Sequence, residues 1–249
     1  MAGSQRAGSQ RGHTMMSAGN HTPEIPLLLD PATFTASSRI SLGSRSPRRR
    51  DLLSAAAGAE RIVCLPPISS AEAGFLNLRH DADIQERLLQ ITHAKHQDVS
   101  AQISSKPSLN LHCPPVVVVA DTTVVAGPQD GHREVLGQPD PTLQGADVRD
   151  WFLQLLSGKT HQVLTAVLVS RGNQLLSQIV TTEVEFLQLT ERQVDWYLAT
   201  GEPQGKAGGY AIQGLAAAFV KRVSGSLTCV IGLPLLETLR MIHDISHQQ

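Results

Sequence analysis

Three groups of residues in this chain have types and spacing suited to chemistry on phosphates. The first is Ser44, Ser46, Arg48 and Arg49, which follow the short apolar run Arg39–Leu42. Ser46 is a natural helix N-cap and Pro47 a natural first helical residue, so the two arginines fall in the first turn of a helix. Cations there face the positive end of the helix dipole, at a cost of about 0.3 to 1 kcal/mol each unless an anion offsets them. Backbone N–H groups, hydroxyls and guanidinium forks meeting at one helix start suit a phosphate. A solvated basic helix start is the plain alternative, and without interleaved aromatic residues a nuclear-localisation or RNA-binding patch has little support.

Asp121 is the second feature, a single carboxylate inside Val116–Val125, a run otherwise made of valine, alanine and threonine. Buried without a partner it would cost several kcal/mol, so it calls for a metal, a cation or a strong hydrogen-bond set. Its position is read as lying towards the carboxyl end of a buried strand, where open sheets commonly hold ligand. With Glu72 it could hold Mg2+ or Mn2+ against a polyphosphate; an aspartate capping the next turn is the structural alternative. The third feature is the glycine-rich segment Gly205–Gly214. Its glycines permit close backbone approach, and the Gln213 amide, both donor and acceptor, suits the edge of a nucleobase. Ser157–His161 adds a lysine and a histidine that a hairpin-entry turn explains equally well.

The elements that must position these groups alternate between strands and helices. Arg39–Leu42, Ile62–Leu65 and Val116–Val125 read as strands. Asp130-Gly131 marks a turn before Glu134–Gly137, and His161–Ser170 with Gln174–Leu187 reads as a long hairpin around Gly172-Asn173. A further strand is expected around Ala217–Val223. Helices are expected at Pro47–Ala57, at Asp83–Ala101 with Lys95 near its end, at Ala146–Leu156, from the Thr190/Gln193 capping box to Gly201, and from Pro234 to Ile245. Ser100–Pro115 is expected to be a polar connection. Strands, helices and hairpins in this order indicate an α/β fold with a sheet of mixed direction.

Composition excludes several classes. The 249 residues carry 21 Lys+Arg against 22 Asp+Glu, a net charge of −1, so binding to nucleic acid or a membrane surface through bulk charge is not expected. No apolar run reaches the ~18 residues that span a bilayer. Cys64, Cys113 and Cys229 are far apart and form neither a disulfide framework nor a zinc pattern. Residues 1–38 are expected to be a disordered extension, rich in Gly, Ser, Gln, His and Arg up to Thr22, which could act as a transit peptide but lacks a secretory apolar centre. Residues 39–249 are expected to form the folded domain, acting in the cytoplasm.

At the three chemical features, and at the Ser157–His161 turn, the chain resembles the Maf family of nucleotide pyrophosphatases. The family's Ser-x-Ser-Pro-Arg-Arg entry stands as Ser44–Arg49, its Asp-Thr pair as Asp121-Thr122, its Ser-Gly-Lys/Arg-Thr-His turn as Ser157–His161, and its Lys-Ala-Gly-x-Tyr-x-Ile-Gln-Gly loop as Lys206–Gly214. The resemblance covers about Arg39–Ile245. It implies a mixed twisted sheet with flanking helices, two lobes around a nucleotide-binding cleft, as in inosine triphosphatases, and a homodimer. It also implies metal-dependent hydrolysis of a nucleoside triphosphate at the α-phosphorus. Asp121 would be the general base or metal carboxylate, Glu72 the second acid, and Ser44, Arg48, Arg49 and Lys95 the phosphate binders. Arg49, Thr122 and Gln213 resemble the branch acting on dTTP and UTP, not its sister acting on 7-methyl-GTP. A non-enzymatic regulator of cell division and a purine house-cleaning enzyme are the other readings.

Two positions depart from the family pattern. Leu-Gly-Lys-Pro stands here as Leu136-Gly137-Gln138-Pro139, so Gln138 replaces a phosphate-binding lysine. A charged hydrogen bond contributes about 1.5 to 3 kcal/mol, so the exchange is expected to lower activity about ten- to a hundredfold unless compensated. The aspartate that usually precedes the Lys-Ala-Gly loop is Gly205.

Overall fold

A computed structural model of the protein describes residues 39–68, 74–105, 115–128 and 132–247. The expectations for residues 1–38, Glu72, Cys113 and the Asp130-Gly131 turn fall outside these ranges. The fold is α/β, built on a sheet of seven strands: β1 (Ile40–Leu42), β2 (Ile62–Cys64), β3 (Val116–Ala126), β4 (Glu134–Leu136), β5 (Thr160–Arg171), β6 (Gln174–Phe186) and β7 (Val220–Ser224). Their order is β2-β1-β3-β5-β6-β7, with β4 also on β3. β1 runs parallel to β2 and β3, and every other pair is antiparallel. The sheet is mixed, as expected.

The helices are α1 (Pro47–Ala57), α2 (Asp81–Ser105), α3 (Ala146–Asp150, continued by a π-helical turn Trp151–Leu156), α4 (Glu191–Ala199), α5 (Leu227–Ile231) and α6 (Leu235–His247). Ser46 caps α1 through its side chain with Pro47 in the first turn, and Gly58 closes it at φ 91°. The Thr190–Gln193 capping box opens α4 with both reciprocal bonds in place. Two readings need correction. α2 continues to Ser105, so the start of the supposed Ser100–Pro115 connection is helical, with Val99 and Gln102 buried on its inner face. Leu215–Phe219 is a 3-10 turn and β7 begins only at Val220. The short α5 has no long apolar period and gave no signal.

Side chains of β3 alternate between two faces, and this sorts the core. Val116, Val118 and Ala120 pack with Ile40, Leu42 and Leu53 against Leu239, Ile242 and Ile245 of α6. Further along the same face, Val124 and Ala126 join an aromatic cluster of Phe152, Phe186, Tyr197 and Phe219. The opposite face carries Val117, Val119 and Val125 under α2, which contributes Ile84, Leu88 and Val99. An aliphatic lobe and an aromatic lobe thus share one long strand. No described helix is long and apolar enough to cross a membrane.

Candidate active site

The cleft between the lobes follows from strand register. β5 occupies one edge of β3 from Val116 to Val125. On the other edge β1 pairs only as far as Val118, and β4 begins at Val124. Val119–Thr123 therefore has no strand beside it on that edge among the described residues. Into this gap open the β1–α1 loop, Gln138 beyond β4 and the glycine-rich loop, lining a cleft of about 660 Å3. Asp121 lies at the middle of β3, not towards its carboxyl end as expected; the crevice exists because β1 stops short.

Because neighbouring strand residues point to opposite faces, Asp121 and Thr122 serve different parts of the site. Asp121 faces α2, where the Lys95 ammonium donates to its carboxylate at 2.8 Å, both side chains mostly buried at 17% and 16% exposure. The cation that the buried carboxylate required is thus a lysine 26 residues upstream. Thr122 faces α1 and accepts from Arg49 Nη2 at 2.9 Å. Arg49 also donates from Nε to the Gly232 carbonyl at 2.6 Å and from Nη1 to Ser44 Oγ at 3.3 Å. Thr122 and Thr165 share a hydroxyl contact of 2.9 Å, and Thr165 donates to the Cys229 carbonyl at 2.9 Å. Arg49 therefore fastens α1 to β3 and to the α5–α6 turn, a structural task beside the phosphate contact expected of it.

Arg48 differs from its neighbour. Half-buried at the cleft, it has no acid within ion-pair distance among the described residues. Burial holds its guanidinium below the ordinary arginine range. Lys206, from the glycine-rich loop, is likewise lowered, by burial and then by the nearby positive charge of Arg48, with Glu202 opposing. The first turn of α1 contains no acidic residue. A desolvated guanidinium with a second cation nearby, beside a helix start without an acid, forms a site that an anion would relieve. Ser44 is 8% exposed, and its hydroxyl accepts from the Ser46 amide and from Arg49, ordering the loop under that site.

Facing this wall, Gln213 and Gln138 line the cleft. Gly208 lies at φ 67°, its amide donates to the Gly137 carbonyl at 2.9 Å, and an added Cβ would stand 2.8 Å from Val124. Only glycine permits that approach, which brings Gln138 beside the loop. Gly205 sits at φ 68° with open space around it, a left-handed conformation that glycine adopts freely. His161 of the Ser157–His161 turn is no catalytic base. It is 1% exposed, its Nε2 meets the Tyr210 hydroxyl at 2.8 Å, and burial pushes its pKa down to about 3.

The structure thus brings Ser44, Arg48, Arg49, Lys95, Asp121, Thr122, Gln138 and Gln213 around one cleft; Glu72 lies outside the described residues. The residue reading missed Thr165 and Gly232, which are ordinary in sequence and gain meaning only through contacts across the fold, and did not single out Lys206 as a cation. Among the described residues no three metal-ligating side chains gather, and Asp121 is the one carboxylate lining the cleft. Magnesium is commonly held by one or two carboxylates together with substrate phosphates, so this donor set fits an ion that arrives with a polyphosphate.

Residues 39–245 match the Maf-like protein family. A dTTP/UTP pyrophosphatase of Cereibacter sphaeroides is 38% identical over 203 residues, covering 81% of this chain and 92% of that protein. One from Shewanella denitrificans is 37% identical over 210 residues, covering 83% and 96%. One from Vibrio vulnificus is 38% identical over 206 residues, covering 83% and 98%.

Proposed function

The chain belongs to the Maf family, and on that premise we propose that it is a nucleoside triphosphate pyrophosphatase acting on dTTP and UTP. Water attacks the α-phosphorus, the bond from that phosphorus to the oxygen bridging to the β-phosphate breaks, and the products are the nucleoside monophosphate and pyrophosphate. One observation supports this above the others: the only carboxylate lining the described cleft, Asp121 in the gap of β3, is held by Lys95 and shares that cleft with Arg48 and with the Gln138 and Gln213 amides.

Arg48 and the α1 N-terminus receive the polyphosphate, and their positive charge stabilises the negative charge that grows on the leaving pyrophosphate. Arg49 holds the Ser44 loop and Thr122 in place for that contact. Asp121 accepts the proton of the attacking water, and Lys95 keeps its carboxylate oriented on β3. The Gln213 amide reads the O2, N3–H and O4 edge that thymine and uracil share. A divalent cation, Mg2+ or Mn2+, held by Asp121 and the phosphates with Glu72 as the second acid, would supply further charge neutralisation. The proposal extends to a homodimer acting in the cytoplasm, a reading supported by the family resemblance alone.

The test is pyrophosphate release from dTTP, UTP, CTP, 7-methyl-GTP, ITP and ATP with Mg2+ or Mn2+, wild type beside Asp121→Asn. Release from dTTP and UTP that requires the cation and vanishes in the variant supports the proposal. A folded wild type that binds nucleotide and releases nothing makes the chain a nucleotide-binding regulator, and preference for ITP makes it a purine house-cleaning enzyme.

A further inference from the structure

Glu202, between α4 and the glycine-rich loop, is tied to both ends of that loop. Its Oε2 accepts from the Leu215 amide at 2.8 Å, and its Oε1 accepts from the Ala216 amide at 3.2 Å and from the Tyr197 hydroxyl at 3.0 Å. Its backbone carbonyl accepts from the Lys206 ammonium. The fully buried Tyr197 hydroxyl also lies 3.2 Å from the Gly209 carbonyl, at the middle of the loop. One carboxylate therefore closes the chain from Glu202 to Ala216 into a ring, and Gly205, Lys206 and Gln213 lie within that ring. The closure is local to Gln213: the two amides that Glu202 accepts from begin the turn immediately after Gln213-Gly214.

Burial raises the carboxyl of Glu202, but the Leu215 and Ala216 amides, Tyr197 and the Lys206 charge together hold it below the ordinary range. It is thus ionised at neutral pH, and its charge is directed into the loop. A carboxylate that accepts from two backbone amides and a buried hydroxyl fixes those groups more firmly than a neutral side chain could. Its side chain does not line the cleft.

Resting on the pyrophosphatase reading, we propose that Glu202 is a positioning residue that sets the enzyme's discrimination between nucleobases, by holding Gln213 at the angle that accepts a uracil or thymine edge and refuses cytosine. Cytosine presents an amino group where uracil has O4, and lacks the N3–H, so a rigid amide distinguishes the two while a mobile one can turn to suit either.

The experiment compares kcat/KM for UTP and CTP in wild type, Glu202→Gln, Gln213→Ala and the double variant, with inhibition by tripolyphosphate as a measure of the phosphate wall. Wild type is expected to prefer UTP by about tenfold or more, and Glu202→Gln to lose most of that preference while tripolyphosphate inhibition changes by less than about twofold. In the Gln213→Ala background the Glu202 exchange should change the ratio no further, because both act through one amide. An unchanged UTP to CTP ratio in Glu202→Gln overturns the proposal, as does an equal loss of both substrates together with tripolyphosphate inhibition. If Glu202→Gln does not fold, Tyr197→Phe, which removes only the hydroxyl, should relax the ratio in the same direction. A wild type that turns over no nucleotide defeats the pyrophosphatase reading by itself, and UTP against CTP binding in the same variants then decides the role of Glu202.

Discussion

The two walls of the cleft are held in opposite ways. The β1–α1 wall is fixed by contacts between segments remote in sequence: Arg49 reaches Gly232, 183 residues away, and Thr122, 73 away. The glycine-rich wall touches Gly137 through the Gly208 amide, but its ends are closed locally, by a carboxylate and amides 13 and 14 residues apart. A wall that gathers like charges needs long-range fastening, since its own groups repel. A wall that reads shape and hydrogen bonds can be set by a short ring.

Breaking the catalytic centre between the walls should have the largest effect. Asp121→Asn keeps size and position but cannot accept the proton, and turnover is expected to fall about 100- to 10,000-fold. The fastening of the first wall comes next. Arg49→Lys retains charge and loses the planar fork that reaches Thr122, Ser44 and Gly232 together, so kcat/KM measured with UTP should fall about ten- to a hundredfold. A result equal to wild type would mean that the remote contacts are not what keeps this wall in order.

The second wall can be strengthened as well as weakened. Gln138→Lys places an ammonium across the cleft from Arg48 and should raise kcat/KM by up to about tenfold if a phosphate oxygen reaches it. A fall would show that crowding of like charge outweighs that contact. Gly208→Ala puts a methyl 2.8 Å from Val124 at φ 67°, and a loss of about 1 to 3 kcal/mol is expected from denaturant unfolding.

The smallest effect concerns pH. His161 has a folded pKa of about 3 against an ordinary 6.5. Below 6.5 the unfolded chain takes up a proton that the folded one refuses, so stability is complete above that pH. It is then lost progressively as pH falls from there towards 3. His161→Gln should flatten the His161 part of this slope in unfolding measured between pH 7 and 5.

Much of this architecture is legible in the residues. Ser46-Pro47 announces α1, the Thr190–Gln193 capping box announces α4, and the valine run announces β3, because caps and β-branched runs act locally. Asp121 stands out since a carboxylate among valines demands a partner. Three points were not legible from the residues alone: that the partner is Lys95, that Arg49 serves the scaffold, and that β1 ends early enough to open β3. Each depends on where distant segments meet, which spacing along the chain does not encode. Glu202 was hidden for another reason: a glutamate after a helix looks like solvent-facing charge until Leu215 and Ala216 turn back onto it.

The most direct test of the central claim follows the oxygen. Hydrolysis of UTP in 18O-labelled water, with the products analysed by mass spectrometry, reports which phosphorus is attacked. The label is expected in UMP, with unlabelled pyrophosphate, because water held at Asp121 adds to the α-phosphorus. Label in the pyrophosphate, or release of labelled inorganic phosphate with UDP, would contradict the assignment of the cleft.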